Sequence, residues 1–144
     1  MKKIIITLAV VISSFSAFAT EEVNSIVLKA FNKEFAGVKG VHWTSINGYY
    51  KAAFVFNDQH ITAFYQTNGE LLGLSKNISS LDIPISLQVK LKNNYSDYWI
   101  SNLLEISNKE GTSYYITVEK ADFKLVLKSI DFDNWTPFKK VVKM

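Results

Sequence analysis

The stretch NGYYKAAFVF, residues 47–56, joins a turn signal to an alternating apolar strand. Asn47 and Gly48 favour a two-residue hairpin turn, because both central positions of such a turn need a positive φ angle. The residues that follow alternate with the period of two that is typical of a half-buried strand. The stretch EGTSYYITVEK, residues 110–120, repeats the order of turn, tyrosine pair and apolar strand. This repetition predicts an internal duplication.

The residues around the first hairpin predict a helix followed by four strands. Apolar residues fall at steps of three and four over residues 22–35, which predicts a helix with one buried face. Four strands are predicted after it, with a short turn at residues 58–59 and a second Asn-Gly hairpin at residues 68–69. The connections are too short for crossover helices, so the strands must be antiparallel. The predicted strands cover residues 41–46, 49–57, 60–67 and 71–77.

The second half of the chain repeats this order less regularly. Pro84 suits the first turn of a helix that ends near residues 93–94. Strands are predicted over residues 99–108, 113–120 and 123–132, and the sequence leaves open whether residues 136–144 add another.

A helix with four strands buries little apolar surface alone, so the two halves are expected to join. We therefore predict an α+β fold. It consists of two tandem helix-plus-antiparallel-meander repeats, residues 22–79 and 81–135, which form one antiparallel sheet with both helices on one face.

The N-terminal residues have the layout of a secretory signal peptide. Lys2 and Lys3 precede an apolar run over residues 4–12, and small residues lead to an A-x-A pattern that ends at Ala19. This layout predicts cleavage after Ala19. The alternative, a retained membrane anchor, needs about 20 apolar residues, which is more than this run supplies. We therefore predict a signal peptide over residues 1–19 and a single domain over residues 20–144. The domain is predicted to be periplasmic or secreted, with no membrane span after cleavage.

The composition argues against several classes of function. The chain has no Cys, which removes disulfides, thiolate chemistry and cysteine-based metal sites. It also has no Arg, and loss of Lys2 and Lys3 with the signal peptide lowers the formal net charge from +3 to +1. Nucleic-acid binding needs clustered basic residues on one face. We therefore predict no nucleic-acid partner.

No set of residues identifies a reaction. His42 and His60 lack the paired spacing of a zinc site and are predicted to lie on the surface. Asp131 and Asp133 resemble the start of a calcium loop, but Val142 stands where that loop needs a bidentate Glu, so turn capping is favoured. The sequence has no G-x-S-x-G elbow and no Gly-rich phosphate loop. We predict no catalytic residue, metal or cofactor, and a hydrolase is the most remote option.

Aromatic residues are the surplus of this composition, at 14% of the chain. Strict alternation directs Tyr50 and Phe54 toward the helix and Tyr49 away from it, and the facing of Trp43 stays open. Aromatic side chains among polar ones on an open sheet face are typical of a protein-binding surface. The alternative is that loops or the C-terminal tail cover them. The candidate protein-binding face comprises Trp43, Tyr49, Lys51, Trp99, Leu103 and Glu105.

Residues 28–72 resemble the PepSY-like domains of exported bacterial proteins, which are grouped with the β-lactamase inhibitor protein fold. The matching motifs are A-F-x-x-x-F at residues 30–35, V-x-W at 41–43, G-Y-Y-x-A-x-F at 48–54 and A-x-Y-x-x-x-G-x-L at 63–71. Residues 81–135 match more loosely, with Asn134 where the family has a glycine. The resemblance implies the same fold. By analogy with the inhibitors, which grip an enzyme with the open sheet face, it also implies protein binding.

Two functions are compatible with these observations. We predict an exported, non-enzymatic binding module that engages or inhibits an unidentified protein through the open sheet face. The alternative is a small-ligand carrier or sensor with a pocket between helices and sheet. A continuous apolar and aromatic patch favours the first, whereas a closed pocket with convergent polar groups favours the second. The sequence leaves open the partner, the ligand and the oligomeric state.

Overall fold

The computed structural model describes residues 22–144, so the predicted signal peptide and its cleavage site lie outside the described residues. The helices are α1 (Ser25–Glu34) and α2 (Ile85–Asn94). The strands are β1 (His42–Ile46), β2 (Tyr49–Phe56), β3 (Gln59–Gln66), β4 (Leu71–Asn77), β5 (Trp99–Asn108), β6 (Gly111–Glu119), β7 (Phe123–Ser129) and β8 (Thr136–Val142).

The strands form one eight-stranded antiparallel sheet in chain order, β1 to β8. The predicted α+β class is therefore confirmed, and residues 136–144, which the sequence left open, supply β8. The chain divides into two compact units with the boundary between Ser75 and Lys76, here called the N-terminal and C-terminal units. A single domain, an internal duplication and the placement of both helices on one face stay predictions.

Helix α1 begins where Asn24 caps it. The Asn24 side chain accepts a hydrogen bond from the Val27 N–H at 2.9 Å, and its Nδ2 donates to the Thr67 carbonyl at 2.9 Å. An Asn at this position satisfies one of the helix's unpaired N–H groups. The helix therefore starts at Ser25, later than the apolar periodicity predicted, because residues 22–24 are extended or act as the cap.

The core of the N-terminal unit lies between α1 and one face of its strands. Phe31 is buried, with its ring centroid 5.2 Å from that of Phe54. Ala52 and Ala63 are paired directly across β2 and β3 and are fully buried. Their small side chains leave room for the Phe31 ring. A large residue on the helix therefore packs against small residues on the strands.

The hairpin turns of the N-terminal unit follow from residues that accept positive φ. Asn47 and Gly48 have φ angles of 50° and 82°, as the Asn-Gly signal predicted. The next turn is formed by Asn57 and Asp58, with φ angles of 49° and 61°, so the prediction of a turn at residues 58–59 is off by one residue. Asn and Asp tolerate this conformation better than other non-glycine residues.

The C-terminal unit is built around α2, which buries Leu87 and Leu91 against its strands. Pro84 is the N-cap residue, one position before the predicted first turn. Trp135 packs against the same core, and its Nε1 donates a hydrogen bond to the Leu87 carbonyl at 3.1 Å. The core of this unit contains Ile83, Leu87, Leu91, Leu103, Tyr114, Ile116, Val118 and Leu127.

Strand β7 ends at Ser129, earlier than predicted, because the chain turns at Asp131. The Asp131 carboxylate accepts hydrogen bonds from the backbone N–H groups of Asp133 and Asn134 at 2.9 and 2.8 Å. These two N–H donors hold the pKa of Asp131 at about 2. The side chain therefore caps a turn, as the sequence favoured over a calcium loop.

Candidate protein-binding face

Alternation along β6 separates the two faces of the C-terminal unit's sheet. Tyr114, Ile116 and Val118 belong to the core beneath α2, so Tyr115 and Glu119 lie on the opposite side. Residues that pair with these positions share their face. We call this side the helix-free face. Phe138 and Lys143 join it through their contacts with Tyr115 and Glu119. The other residues that it carries are Trp99, Tyr115, Glu119, Lys124, Val126, Lys128, Lys139 and Val141.

A β-bulge in β5 changes which residues reach this face. The register pairs Trp99 with Glu119 but then shifts between Ile100 and Asn102. A bulge adds one unpaired residue, which reverses the alternation beyond it. The prediction that Leu103 and Glu105 share a face with Trp99 is therefore wrong.

Leu103 and Glu105 lie instead on the side of the sheet that packs on α2. Leu103 pairs with Ile116 and is 5% exposed in the core. Glu105 pairs with Tyr114 and forms a salt bridge with Lys76 at 3.4 Å. Neither side chain is placed to contact a partner on the helix-free face.

Glu119 is the polar centre of the helix-free face. It is only 6% exposed. One of its carboxylate oxygens lies 3.1 Å from the Nζ of Lys124, and the other lies 2.8 Å from the Nζ of Lys143. The hydrogen bond from Lys143, followed by one from Ser101, holds the pKa of Glu119 at about 2. A buried carboxylate of this kind needs such partners to remain ionised. Glu119 therefore fixes the positions of two ammonium groups.

Lys143 joins Glu119 to the exposed Trp99. Its Nζ lies 4.6 Å from the centroid of the Trp99 ring and donates a hydrogen bond to the Lys120 carbonyl at 2.8 Å. Trp99 is 51% exposed. A cation above an indole ring at this distance is attracted by the ring's negative face. The indole is thus held in one place while about half of its surface stays accessible.

A second aromatic group on this face involves Tyr115 and Phe138. Their ring centroids are 5.4 Å apart in an edge-to-face arrangement. The Lys128 Nζ lies 5.4 Å from the Tyr115 centroid and 6.0 Å from that of Phe138. Tyr115 is buried and Phe138 is half-buried. The helix-free face therefore has a second group of aromatic rings with a lysine side chain against them.

The other predicted site residues lie in the N-terminal unit, and they divide between its two faces. Trp43 pairs with Ala52, and its ring centroid is 5.2 Å from that of Phe31, so Trp43 packs beneath α1. Tyr49 and Lys51 point away from α1, as predicted, and partial burial lowers the pKa of Lys51. The inclusion of Trp43 in the candidate protein-binding face is therefore wrong, because its ring packs in the helix-facing core.

The described residues include two histidines, a residue type that can bind metal ions. His42 and His60 are both exposed. Across residues 22–144 no group of three His, Cys, Asp or Glu side chains lies close enough together to hold a metal ion. Within the same part of the chain, no helix is both long and apolar enough to cross a membrane.

A shallow groove lies between α2 and the start of β5 in the C-terminal unit. Its volume is about 270 Å³, and Gln88, Tyr95, Tyr98 and Ile100 are among its lining residues. Gln88 already donates hydrogen bonds to the carbonyls of Leu81 and Ile83. Pockets for small ligands usually measure about 300–1,000 Å³. This groove is therefore at the small end for a dedicated ligand site.

Three solved structures share this architecture. A BLIP-like protein from Bacteroides fragilis has a TM-score of 0.73 at 16% identity, covering 86% of this chain and 90% of its own. The chain has a BLIP-like fold. A predicted periplasmic protein from Bacteroides eggerthii has a TM-score of 0.75 at 16% identity, covering 85% of this chain and 90% of its own. A DUF2874 family protein from Bacteroides uniformis has a TM-score of 0.74 at 14% identity, with coverages of 84% and 90%.

The sequence itself matches no family model, and the search of curated proteins found no match. The structural similarities, at identities of 14–16%, identify the BLIP-like fold alone. This fold agrees with the β-lactamase inhibitor protein fold that the resemblance implied. The finer assignment to the PepSY-like family stays a prediction.

Sequence reasoning missed most of the helix-free face. It identified Trp99, but not Tyr115, Phe138 or the lysines, because the bulge and the β8 pairing were unknown. One signal was present in the sequence: residues 136–144, TPFKKVVKM, combine Phe138 with three lysines. That stretch has the mixed composition of a strand on a binding face.

Proposed function

We propose that this chain is an exported, non-enzymatic binding module that engages or inhibits a protein through the helix-free face of its C-terminal unit. The observation that carries the proposal is the half-exposed Trp99, held by Lys143 on a face that also carries the half-buried Phe138 packed on Tyr115. A tryptophan held in a fixed position is typical of the residues that dominate binding energy at protein interfaces.

The relatives support this proposal at the level of fold. A BLIP-like protein and a predicted periplasmic protein share the architecture, which agrees with export by the predicted signal peptide and with a periplasmic or secreted location. From the motifs of residues 28–72 we also propose that the chain belongs to the PepSY-like family. The same proposal includes two tandem repeats with both helices on one face of the sheet. Fold similarity supports function only by analogy, so the binding role depends on the surface itself.

The small-ligand carrier is the weaker alternative. It would use the groove of about 270 Å³ beside α2. The groove's Gln88 is already engaged with the backbone, which reduces the polar groups free to orient a ligand. A protein-binding role explains the aromatic groups of the helix-free face, whereas a ligand in the groove leaves them without a role.

Neighbouring valines of β8 provide a matched test of the proposed face. Val141 pairs with Lys124 on the helix-free face, whereas Val142 pairs with Phe123 on the other side. They are 41% and 68% exposed. A photo-crosslinking amino acid, such as benzoylphenylalanine, is placed at either position. The folded variants are then irradiated in a cell-envelope extract of the source organism.

We expect a crosslinked protein at position 141 and none, or much less, at position 142. Position 142 is the control because it is the more exposed of the two. Nonspecific collisions would therefore give more crosslinking at 142 than at 141. Equal crosslinking at both positions, or crosslinking at 142 alone, would contradict binding through the helix-free face. Thermal melting of both variants checks that each is folded.

A further inference from the structure

We infer that the partner presents an acidic protein surface, with carboxylates among apolar groups, to the helix-free face. This inference rests on the proposed function and specifies the chemistry of the partner. It depends on the charge of the face, on the way Glu119 and the aromatic rings position the lysines, and on the arrangement of those rings.

The helix-free face is strongly biased toward positive charge. Its strands and the residue after β8 present four lysines against one glutamate, which leaves a net charge of +3. The chain as a whole is nearly neutral after loss of the signal peptide's lysines, so the bias is local. A surface with one sign of charge is complementary to a partner surface of the opposite sign. The lysines are Lys124, Lys128, Lys139 and Lys143, and the glutamate is Glu119.

Two of these lysines have no acidic partner in the described part of the chain. Lys128 lies against the rings of Tyr115 and Phe138, and Lys139 is exposed on the edge strand. Lysine charges without an acidic partner are available to carboxylates of another molecule, and of these two Lys139 is the exposed one. Lys139 pairs in register with Val126, so its charge lies beside an apolar position of the same face.

The remaining lysines are held in place before any partner arrives. Glu119 forms salt bridges with Lys124 at 3.1 Å and with Lys143 at 2.8 Å. Lys143 also donates a hydrogen bond to the Lys120 carbonyl at 2.8 Å. Fixing flexible side chains in advance lowers the entropy lost on binding. One carboxylate thus positions two ammonium groups while cancelling only half of their charge.

The arrangement of the rings favours a protein over a nucleic acid. Single-stranded nucleic acids bind by stacking bases on exposed aromatic faces. Here Tyr115 is buried, and a lysine ammonium lies against the ring of Trp99 and against that of Tyr115. The chain also lacks arginine, which is preferred for bidentate phosphate contacts. A protein surface that mixes carboxylates with apolar groups matches both the lysines and the rings.

Adjacent lysines of β8 allow the charge to be tested on one face at a time. Lys139 pairs with Val126 on the helix-free face, whereas Lys140 pairs with Leu125 on the side that faces α2. We propose Lys139→Glu and Lys140→Glu, each in the chain that carries the benzoylphenylalanine crosslinker at Val141. The probe is the crosslinked adduct formed in the source organism's envelope extract, measured over a range of NaCl concentrations.

We expect Lys139→Glu to lower the adduct yield about fivefold, in line with the loss and reversal of an exposed ion pair. Lys140→Glu should leave the yield within about twofold, although it loses its contact with the Phe123 ring. Raising NaCl from about 0.05 to about 0.5 M should weaken the parent adduct, because salt screens exposed charges. Lys139→Gln should give an intermediate yield.

The outcomes separate this inference from the proposed function. An adduct at position 141 that is insensitive to salt and to Lys139→Glu would overturn the acidic partner and keep the binding face. An adduct that nuclease treatment or lipid extraction abolishes would overturn it in favour of a nucleic acid or a membrane surface. No adduct at position 141 would overturn both.

Discussion

The Nζ of Lys143 lies 4.6 Å from the centroid of the Trp99 ring. The two residues are far apart in the chain, and they meet because the residue that follows β8 reaches back to the first residue of β5. The same ammonium is 2.8 Å from Glu119. This contact makes a half-exposed indole part of an ordered surface, and several expectations depend on it.

Replacement of Trp99 by alanine should separate binding from stability. The side chain is half-exposed, so we expect the free energy of unfolding to fall by only about 1 kcal/mol. Partner binding should fall at least about tenfold, as for a central aromatic residue of an interface. Urea unfolding and the adduct yield of the Val141 crosslinker measure the two effects.

Ile100→Ala is the control for this prediction. Ile100 is the next residue, is 47% exposed and pairs with Val118, which lies on the side that packs on α2. Its replacement should leave the adduct yield unchanged. If Trp99→Ala binds as well as the parent chain, or if Ile100→Ala loses binding equally, Trp99 is not an anchor of the interface.

Glu119 should make stability depend on acidic pH. Its pKa falls from an ordinary value of 4.5 to about 2 in the folded chain, chiefly through the hydrogen bond from Lys143. A lowered pKa means that the ionised carboxylate stabilises the fold above pH 4.5. That stabilisation is lost as the pH falls from about 4.5 toward 2.

Glu119→Gln should flatten this part of the pH profile. Urea unfolding at a series of pH values from 2 to 7 provides the measurement, with the slope of unfolding free energy against pH as the readout. Asp131, whose pKa also falls to about 2, contributes its own slope, so Asp131→Asn is the matched comparison. A Glu119→Gln profile as steep as that of the parent would show that Glu119 does not bind Lys143 in solution.

The Tyr65 hydroxyl should destabilise the N-terminal unit. It is buried, and among residues 22–144 it has no hydrogen-bond partner. Leaving a buried polar group unpaired costs free energy, so Tyr65→Phe should raise the free energy of unfolding by about 1 kcal/mol at pH 7. A loss of stability in this variant would mean that the hydroxyl has a partner, such as a buried water.

Alkaline titration provides a second test of the burial of the Tyr65 hydroxyl. Burial, with a smaller effect of the Glu34 charge, raises the pKa of Tyr65 from 10 to about 12. Because the raised pKa favours the neutral form in the folded chain, this titration does not change stability below pH 10, and the free energy of unfolding falls as the pH rises from about 10 to 12. Tyr65→Phe should lack that loss, and ultraviolet absorbance should show one fewer late-titrating tyrosine.

Neighbouring alanines of β2 test the packing beneath α1. Ala52 is fully buried in the core that contains Phe31, whereas Ala53 points away from α1 and pairs with Thr62. Ala52→Leu should lower the free energy of unfolding by about 1–3 kcal/mol, because the added carbons have no space beside the ring. Ala53→Leu should change it by less than about 1 kcal/mol. Equal effects from the two changes would contradict the assigned faces.

The sequence predicted the elements well where local signals act alone. The Asn-Gly turn at residue 47 gave the β1–β2 hairpin, and β4 and β5 have the predicted bounds. Pro84 and the end predicted near residues 93–94 agree with the bounds of α2, Ile85–Asn94. These features depend on the φ preferences of a few residues and on apolar periodicity, both of which are readable from sequence.

The candidate face was harder to predict because it depends on long-range pairing. Strict alternation grouped Leu103 with Trp99, and the bulge in β5 reversed that grouping. Nothing local in residues 99–103 distinguishes a bulged strand from a regular one. The contact of Lys143 with Glu119 and Trp99 joins three distant parts of the chain, so it too required the register of β5 to β8.

The central claim is that a partner covers the helix-free face of the C-terminal unit, and thiol protection tests it most directly. The chain has no cysteine, so Lys139→Cys and Lys140→Cys each carry a single thiol on opposite faces of β8. Maleimide labelling rates are measured with and without the protein recovered through the Val141 crosslink. We predict at least tenfold slower labelling at 139 with the partner present and an unchanged rate at 140. Equal protection of both thiols, or of neither, would contradict the claim.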